Sequence, residues 1–156
     1  LDFEFQLFFE TEEGNRYVLQ FSPFKIGSLP IQSPVIQVDL ISILNNSKVN
    51  SVKTFNVIAQ EVTNYLIDKP DVILYYYCDN KEIFFRKARE IESFQEFRSK
   101  LFSAMFHKIN QDSRLIKSFI IADRKNGDHY ISFIFKEKHI DEINILADLI
   151  EGFHKN

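Results

Sequence analysis

Cys78 is the sole cysteine of the 156 residues, and it stands next to Asp79 at the end of the run Val72-Ile73-Leu74-Tyr75-Tyr76-Tyr77. A thiol beside a carboxylate at a strand end could act as a nucleophile, but its thiolate form needs a base. Four histidines exist, His107, His129, His139 and His154, and none stands at a local spacing from Cys78. A buried structural cysteine is the better reading. Cys78 and Asp79 nevertheless remain the catalytic candidates of this chain. His139, Asp141 and Glu142 gather where a last helix should begin. Metal ligation is one use for them, but carboxylates in a first helical turn are ordinary partners of the helix dipole. There is no His-x-x-x-His step and no cysteine pair, so no metal is expected. Asp123, Asp128 and His129 flank an Asn126-Gly127 turn, and turn chemistry accounts for the aspartates. Lys136-Glu137-Lys138 lacks the Glu-x-Lys step of a metal nuclease.

Residues 81–117 are locally basic in a chain of net charge -3. Arg86, Lys87, Arg89, Arg98 and Lys100 are the candidates there for an acidic protein surface or a nucleic acid, with Arg114 and Lys117 at the segment's end. Glu90, Glu92 and Glu96 lie among them, and local pairing on a solvated helix face is the better reading of so mixed a segment.

Composition narrows the class. An apolar fraction of 45% with 26% charged residues is that of a globular chain. Its length suits one domain, taken as residues 1–156. A single cysteine allows no intrachain disulfide, which suggests a reducing compartment. No apolar run is long enough to span a bilayer, and the start lacks the basic and small-residue marks of a signal peptide. A cytoplasmic location is expected, with no membrane partner. Leu1 stands where a Met would open a chain, which leaves room for residues upstream. Phe is abundant (17 copies) and Trp absent. Phe, Ile, Asn, Lys and Tyr are frequent together, as coding bias would give, and most Phe fall at core-periodic positions.

Hydrophobic periodicity lays out the elements that must hold these groups. Phe3, Phe5, Leu7 and Phe9 alternate, a polar break around Gly14 follows, and Tyr17, Leu19 and Phe21 alternate again, as in a β-hairpin. After a Pro-punctuated loop, a third strand spans residues 35–44. Ile41 and Ile43 take the face of Gln37 and Asp39, which points to a β-bulge within residues 39–42 or to a strand end buried on both faces. A helix capped by Asn50 or Ser51 carries Val52, Phe55, Ile58, Ala59, Val62, Tyr65 and Leu66 on one face and stops before Pro70. Residues 71–78 read as a central strand. Residues 79–92 carry no clear pattern. The capping box Ser93-x-x-Glu96 opens a second helix, two strands at 115–122 and 130–135 make a hairpin, and a helix over 141–153 closes the chain. The class is α+β: a mixed, largely antiparallel six-stranded sheet flanked by helices, in the order β-β-β-α-β-α-β-β-α.

Hairpin, bulged strand, helix, strand, helix, hairpin resembles the main body of the GNAT superfamily of acyltransferases. The resemblance covers residues 2–135. It implies that the bulged strand and the next one splay apart, that a cofactor's pantetheine enters the gap, and that its pyrophosphate sits on the N-terminus of the helix between them. The family's pyrophosphate loop has Gln or Arg, two residues, Gly, one residue, and Gly or Ala. Asn46, Val49 and Ser51 stand at those places, and all three depart from the pattern. The family's general acid is often a Tyr in a Leu-Tyr step. Leu101-Phe102 stands there, and Phe102 has no hydroxyl to protonate a thiolate.

A second resemblance is closer in sequence. Tyr77-Cys78-Asp79, then Arg98-x-Lys100-Leu101-Phe102 and Phe106, with Thr54 on the first helix, is similar to a family of small bacterial proteins of unknown function. Residues 81–93 interrupt that pattern here. The two resemblances together lead to the expectation of a non-catalytic binding module on a GNAT-like scaffold, without a cofactor and with another protein as partner. The alternative is an acyl-CoA-dependent N-acyltransferase that holds its cofactor through Val49, Ser51, Val52 and Lys53. A third reading is nucleic-acid binding through residues 81–117.

Overall fold

Strand-period alternation builds the first half of the molecule. The computed structural model describes residues 5–12, 14–24, 31–44, 52–78, 107, 114–121 and 129–154. Six strands form one sheet: β1 (Phe5–Glu10), β2 (Arg16–Pro23), β3 (Val35–Leu44), β4 (Ile73–Cys78), β5 (Leu115–Ile121) and β6 (His129–Phe135), in the order β1-β2-β3-β4-β6-β5. Every neighbouring pair is antiparallel except β3 with β4, which is parallel. Two helices are described, α1 (Val52–Ile67) and α2 (Ile140–His154), the second preceded by a 3-10 turn at Glu137–His139. The chain is thus α+β with a mixed sheet. Of the expected helix over 93–109 only His107 is described, and it is helical; the Asn126-Gly127 turn lies outside the described residues. No helix among the described residues is long and apolar enough to cross a membrane.

The two faces of the sheet carry two cores. Tyr17, Leu19 and Phe21 of β2 meet Ile58, Ala59, Val62, Tyr65 and Leu66 of α1 on one face, joined by Leu74 and Tyr76 of β4 and Ile134 of β6. Phe21 stacks on Tyr65 at 4.0 Å between ring centroids, and the Lys69 ammonium sits 4.2 Å from the Tyr65 ring centre. On the other face Ile73 and Tyr75 of β4 and Ile131 and Phe133 of β6 meet Ile143, Leu146 and Ile150 of α2. β4 therefore buries both faces, which is why its sequence is continuously apolar and aromatic rather than alternating.

Local chemistry closes the elements. The β1–β2 turn is tied by Thr11 N–H to Asn15 O at 2.8 Å and Gly14 N–H to Thr11 O at 3.0 Å. Gly14 has φ 85°, a conformation that a side chain disfavours. The end of α1 is held from a distance. The buried Arg114 guanidinium donates to Leu66 O at 2.8 Å, Lys69 O at 3.3 Å and Val72 O at 3.4 Å. A cation on the last carbonyls of a helix satisfies acceptors that have no intrahelical donor and opposes the dipole. Arg114 thus leaves the basic surface segment in which its sequence position places it.

The bulge expected within residues 39–42 lies further along. Pairing of β3 with β2 is regular from Ile36↔Pro23 to Ser42↔Tyr17, then skips to Leu44↔Arg16, so Ile43 is the extra residue. Ile41 keeps the Gln37 and Asp39 side of the strand because its partner there is the buried Val18. The parity fault in the sequence had two causes: a second apolar face at Ile41, and a true register skip at Ile43.

Candidate functional site

β3 and β4 run side by side for only part of their length. Their parallel pairing covers Val35↔Ile73 to Val38↔Tyr76. β3 then continues to Leu44 against β2, while β4 continues to Cys78 against β6. Each strand follows its outer neighbour, and the two part at their C-terminal ends. In open sheets with parallel strands, a crevice at carboxyl ends where neighbouring connections diverge is the usual ligand position.

Four polar side chains stand near this divergence on the face that α2 covers in part. Gln37 Nε2 donates to Asp39 Oδ1 at 2.9 Å and to Oδ2 at 3.1 Å, orienting the carboxylate. Across the gap, the Tyr77 hydroxyl and His129 Nδ1 are 2.5 Å apart, and their rings stack with centroids 5.7 Å apart. The register explains the meeting. Tyr77 pairs directly with Ile131, and His129 lies two residues beyond on the same face, so it is the diagonal neighbour that a long aromatic side chain reaches. A phenol and an imidazole in hydrogen-bond contact can pass a proton either way.

α1 starts at the same end of the sheet, after β3. No acidic residue stands in its first turn, so its dipole is not offset there by a carboxylate of its own. Lys53 in that turn is bonded to Glu12 Oε1 at 2.5 Å, and both side chains are largely exposed. Such an exposed pair contributes little to stability.

The other sequence candidates fall as follows. Cys78 pairs with Tyr130 in the β4–β6 ladder, so its backbone is placed at the strand end as expected. Val52 is the first residue of α1. Asp79, Val49, Ser51, Arg86, Lys87, Arg89, Arg98 and Lys100, and Phe102 with them, lie outside the described residues. Among the described residues no three His, Cys, Asp or Glu side chains converge as metal ligands. Sequence reasoning missed the Tyr77–His129 pair. Each residue was visible, but 52 positions separate them and no local spacing links a strand-end Tyr to a His in a later hairpin. No protein-family model matches the chain, and neither a curated protein nor a solved structure matches it at a significant level.

Proposed function

We propose that this chain is a binding module on a GNAT-like scaffold, which takes a partner protein or its ligand at the crevice between β3 and β4 and performs no acyl transfer. The observation that carries the reading is the single parallel pair that ends at Val38↔Tyr76 while both strands continue. A parallel pair that splays, a bulged third strand and a helix between the two are the features that define the acyltransferase frame. Against transfer itself stand Val49 and Ser51, where the frame needs glycine or alanine for close backbone approach to phosphates, and Phe102 in place of an acid. Thermal denaturation with acetyl-CoA and longer acyl-CoAs tests this. No change in Tm is expected, whereas a saturable rise at micromolar ligand that Lys53→Glu removes would overturn the reading.

One observation favours the second reading, an acyl-CoA-dependent N-acyltransferase. The Tyr77 hydroxyl, supported by His129, supplies at the crevice the kind of proton donor that Phe102 cannot. In that case Tyr77→Phe lowers turnover with bound acyl-CoA unaffected.

A further inference from the structure

At the opposite end of the sheet, where β3 and β4 begin, the 3-10 turn and the first turn of α2 face the loop before β3. Ile73 N–H donates to Pro34 O at 2.9 Å, which brings the two strand starts together. An open cleft of about 390 Å³ lies there, walled by Gln32, Ser33, Asp71, Lys138, His139 and Glu142. This is within the roughly 300–1,000 Å³ range of small-ligand sites.

Two carboxylates and one ammonium line it. Glu142 Oε2 accepts from Gln32 N–H at 3.2 Å and Ser33 N–H at 3.0 Å, and Oε1 accepts from the Ser33 hydroxyl at 2.6 Å. These bonds fix the carboxylate in place, and an ionised carboxylate has acceptor capacity beyond the three it uses here. Asp71 bonds Lys138 through Oδ1. Its second oxygen is a further acceptor at an exposed side chain.

His139 sets this cleft apart from a surface cluster of charges. The residue is 2% exposed, and its Nδ1 accepts from Lys136 N–H at 3.2 Å. An accepting Nδ1 places the proton of the neutral ring on Nε2. Among the described residues Nε2–H has no hydrogen-bond acceptor, yet it is not a sealed atom, because the ring lines the cleft. Water in the cleft can satisfy this donor, and a ligand oxygen bound there would take the water's place as its acceptor. Burial, and then the Lys138 charge, hold the imidazole below its ordinary value, which keeps it a neutral single donor.

We infer that this cleft binds a primary ammonium with an oxygen acceptor two or three bonds away, the group at the head of an amino-acid amide or at the N-terminus of a peptide. The ammonium meets Glu142 and Asp71, and the neighbouring carbonyl oxygen accepts from His139 Nε2–H. Of the charged side chains that line the cleft, two are carboxylates and one is an ammonium, and that ammonium, Lys138, pairs with Asp71. A free carboxylate ligand would meet Glu142 and Asp71 and be repelled. The site is independent of the β3–β4 crevice, so either can fail without the other.

The test is NMR titration of the His139 ring protons with glycinamide, triglycine amide and N-acetylglycinamide. Glycinamide should shift them saturably with a Kd of about 1 mM, as suits so small a ligand. N-acetylglycinamide, which has no ammonium, should not. Asp71→Asn removes one carboxylate at an exposed position, and His139→Asn keeps an oxygen for Lys136 N–H while deleting the Nε2 donor. Each should weaken glycinamide at least tenfold, read by chemical shift or calorimetry, with Tm measured beside it. Tighter binding of triglycine amide than glycinamide assigns the site to a peptide N-terminus, and equal binding assigns it to small amines. No saturable shift, an equal response to the acetylated amide, or undiminished affinity in a folded Asp71→Asn variant overturns the proposal.

Discussion

Glu142 does more than occupy a helical first turn. Its carboxylate ties α2 to the loop that leads into β3, through the Ser33 hydroxyl and the Gln32 and Ser33 amides. Burial pushes the Glu142 carboxyl up, but these hydrogen bonds outweigh it and hold the group below its ordinary value of 4.5. His139 is also held below its ordinary value of 6.5, first by burial and then by Lys138. The sign is the same for both. The unfolded chain takes up each proton before the folded one does, so stability from these groups is complete above the unfolded value and is lost as the pH falls toward the folded one. Urea denaturation across pH should show stability declining first below pH 6.5 and again below pH 4.5. His139→Asn should flatten the first decline. Glu142→Ala should cost about 2 kcal/mol at neutral pH, because charge-assisted hydrogen bonds are lost and loop amides lose their acceptor. A midpoint equal to that of the parent protein would show that the clamp is ornamental.

The elements make sharper predictions than the single groups. α2 presents Ile143, Leu146 and Ile150 to the sheet and turns Ile145 and Leu149 outward. Leu146→Ala should therefore cost about 3 kcal/mol through lost burial and a residual cavity, while Ile145→Ala should stay within about 1 kcal/mol. Equal costs would mean that the helix is rotated from the face described. The β1–β2 turn depends on Gly14 at φ 85°. Gly14→Ala should lower stability by about 1 kcal/mol, read as a drop in Tm, since an L side chain is strained in that region. Most elements were legible in the sequence because their signals are local. Alternating Tyr17, Leu19 and Phe21 became the buried row of β2, and Ile58, Val62 and Leu66 became the sheet-facing row of α1. The bulge was legible only as a fault in parity, and its position at Ile43 depends on the register with β2.

At the scale of the whole molecule, the sheet divides into two antiparallel halves, β1-β2-β3 and β4-β6-β5, joined by one parallel pair. That seam opens at one end, where Tyr77 and His129 meet, and is closed at the other, where Pro34 and Ile73 meet beside the His139 cleft. The sequence by itself determined the kinds of element and the faces they bury, because a period of two or of 3.6 residues is written within each element. It also marked Glu142 as a helix-start carboxylate and His129 as a hairpin residue. Only the tertiary structure decided what these groups touch. Arg114 caps a helix whose last turn lies 48 residues earlier, Tyr77 meets His129 across 52 residues, and Glu142 holds Ser33 across 109. The reason is physical. Helix and strand formation are selected by neighbours along the chain, whereas a phenol on an imidazole or a guanidinium on a carbonyl depends on sheet order and register, which no local pattern encodes.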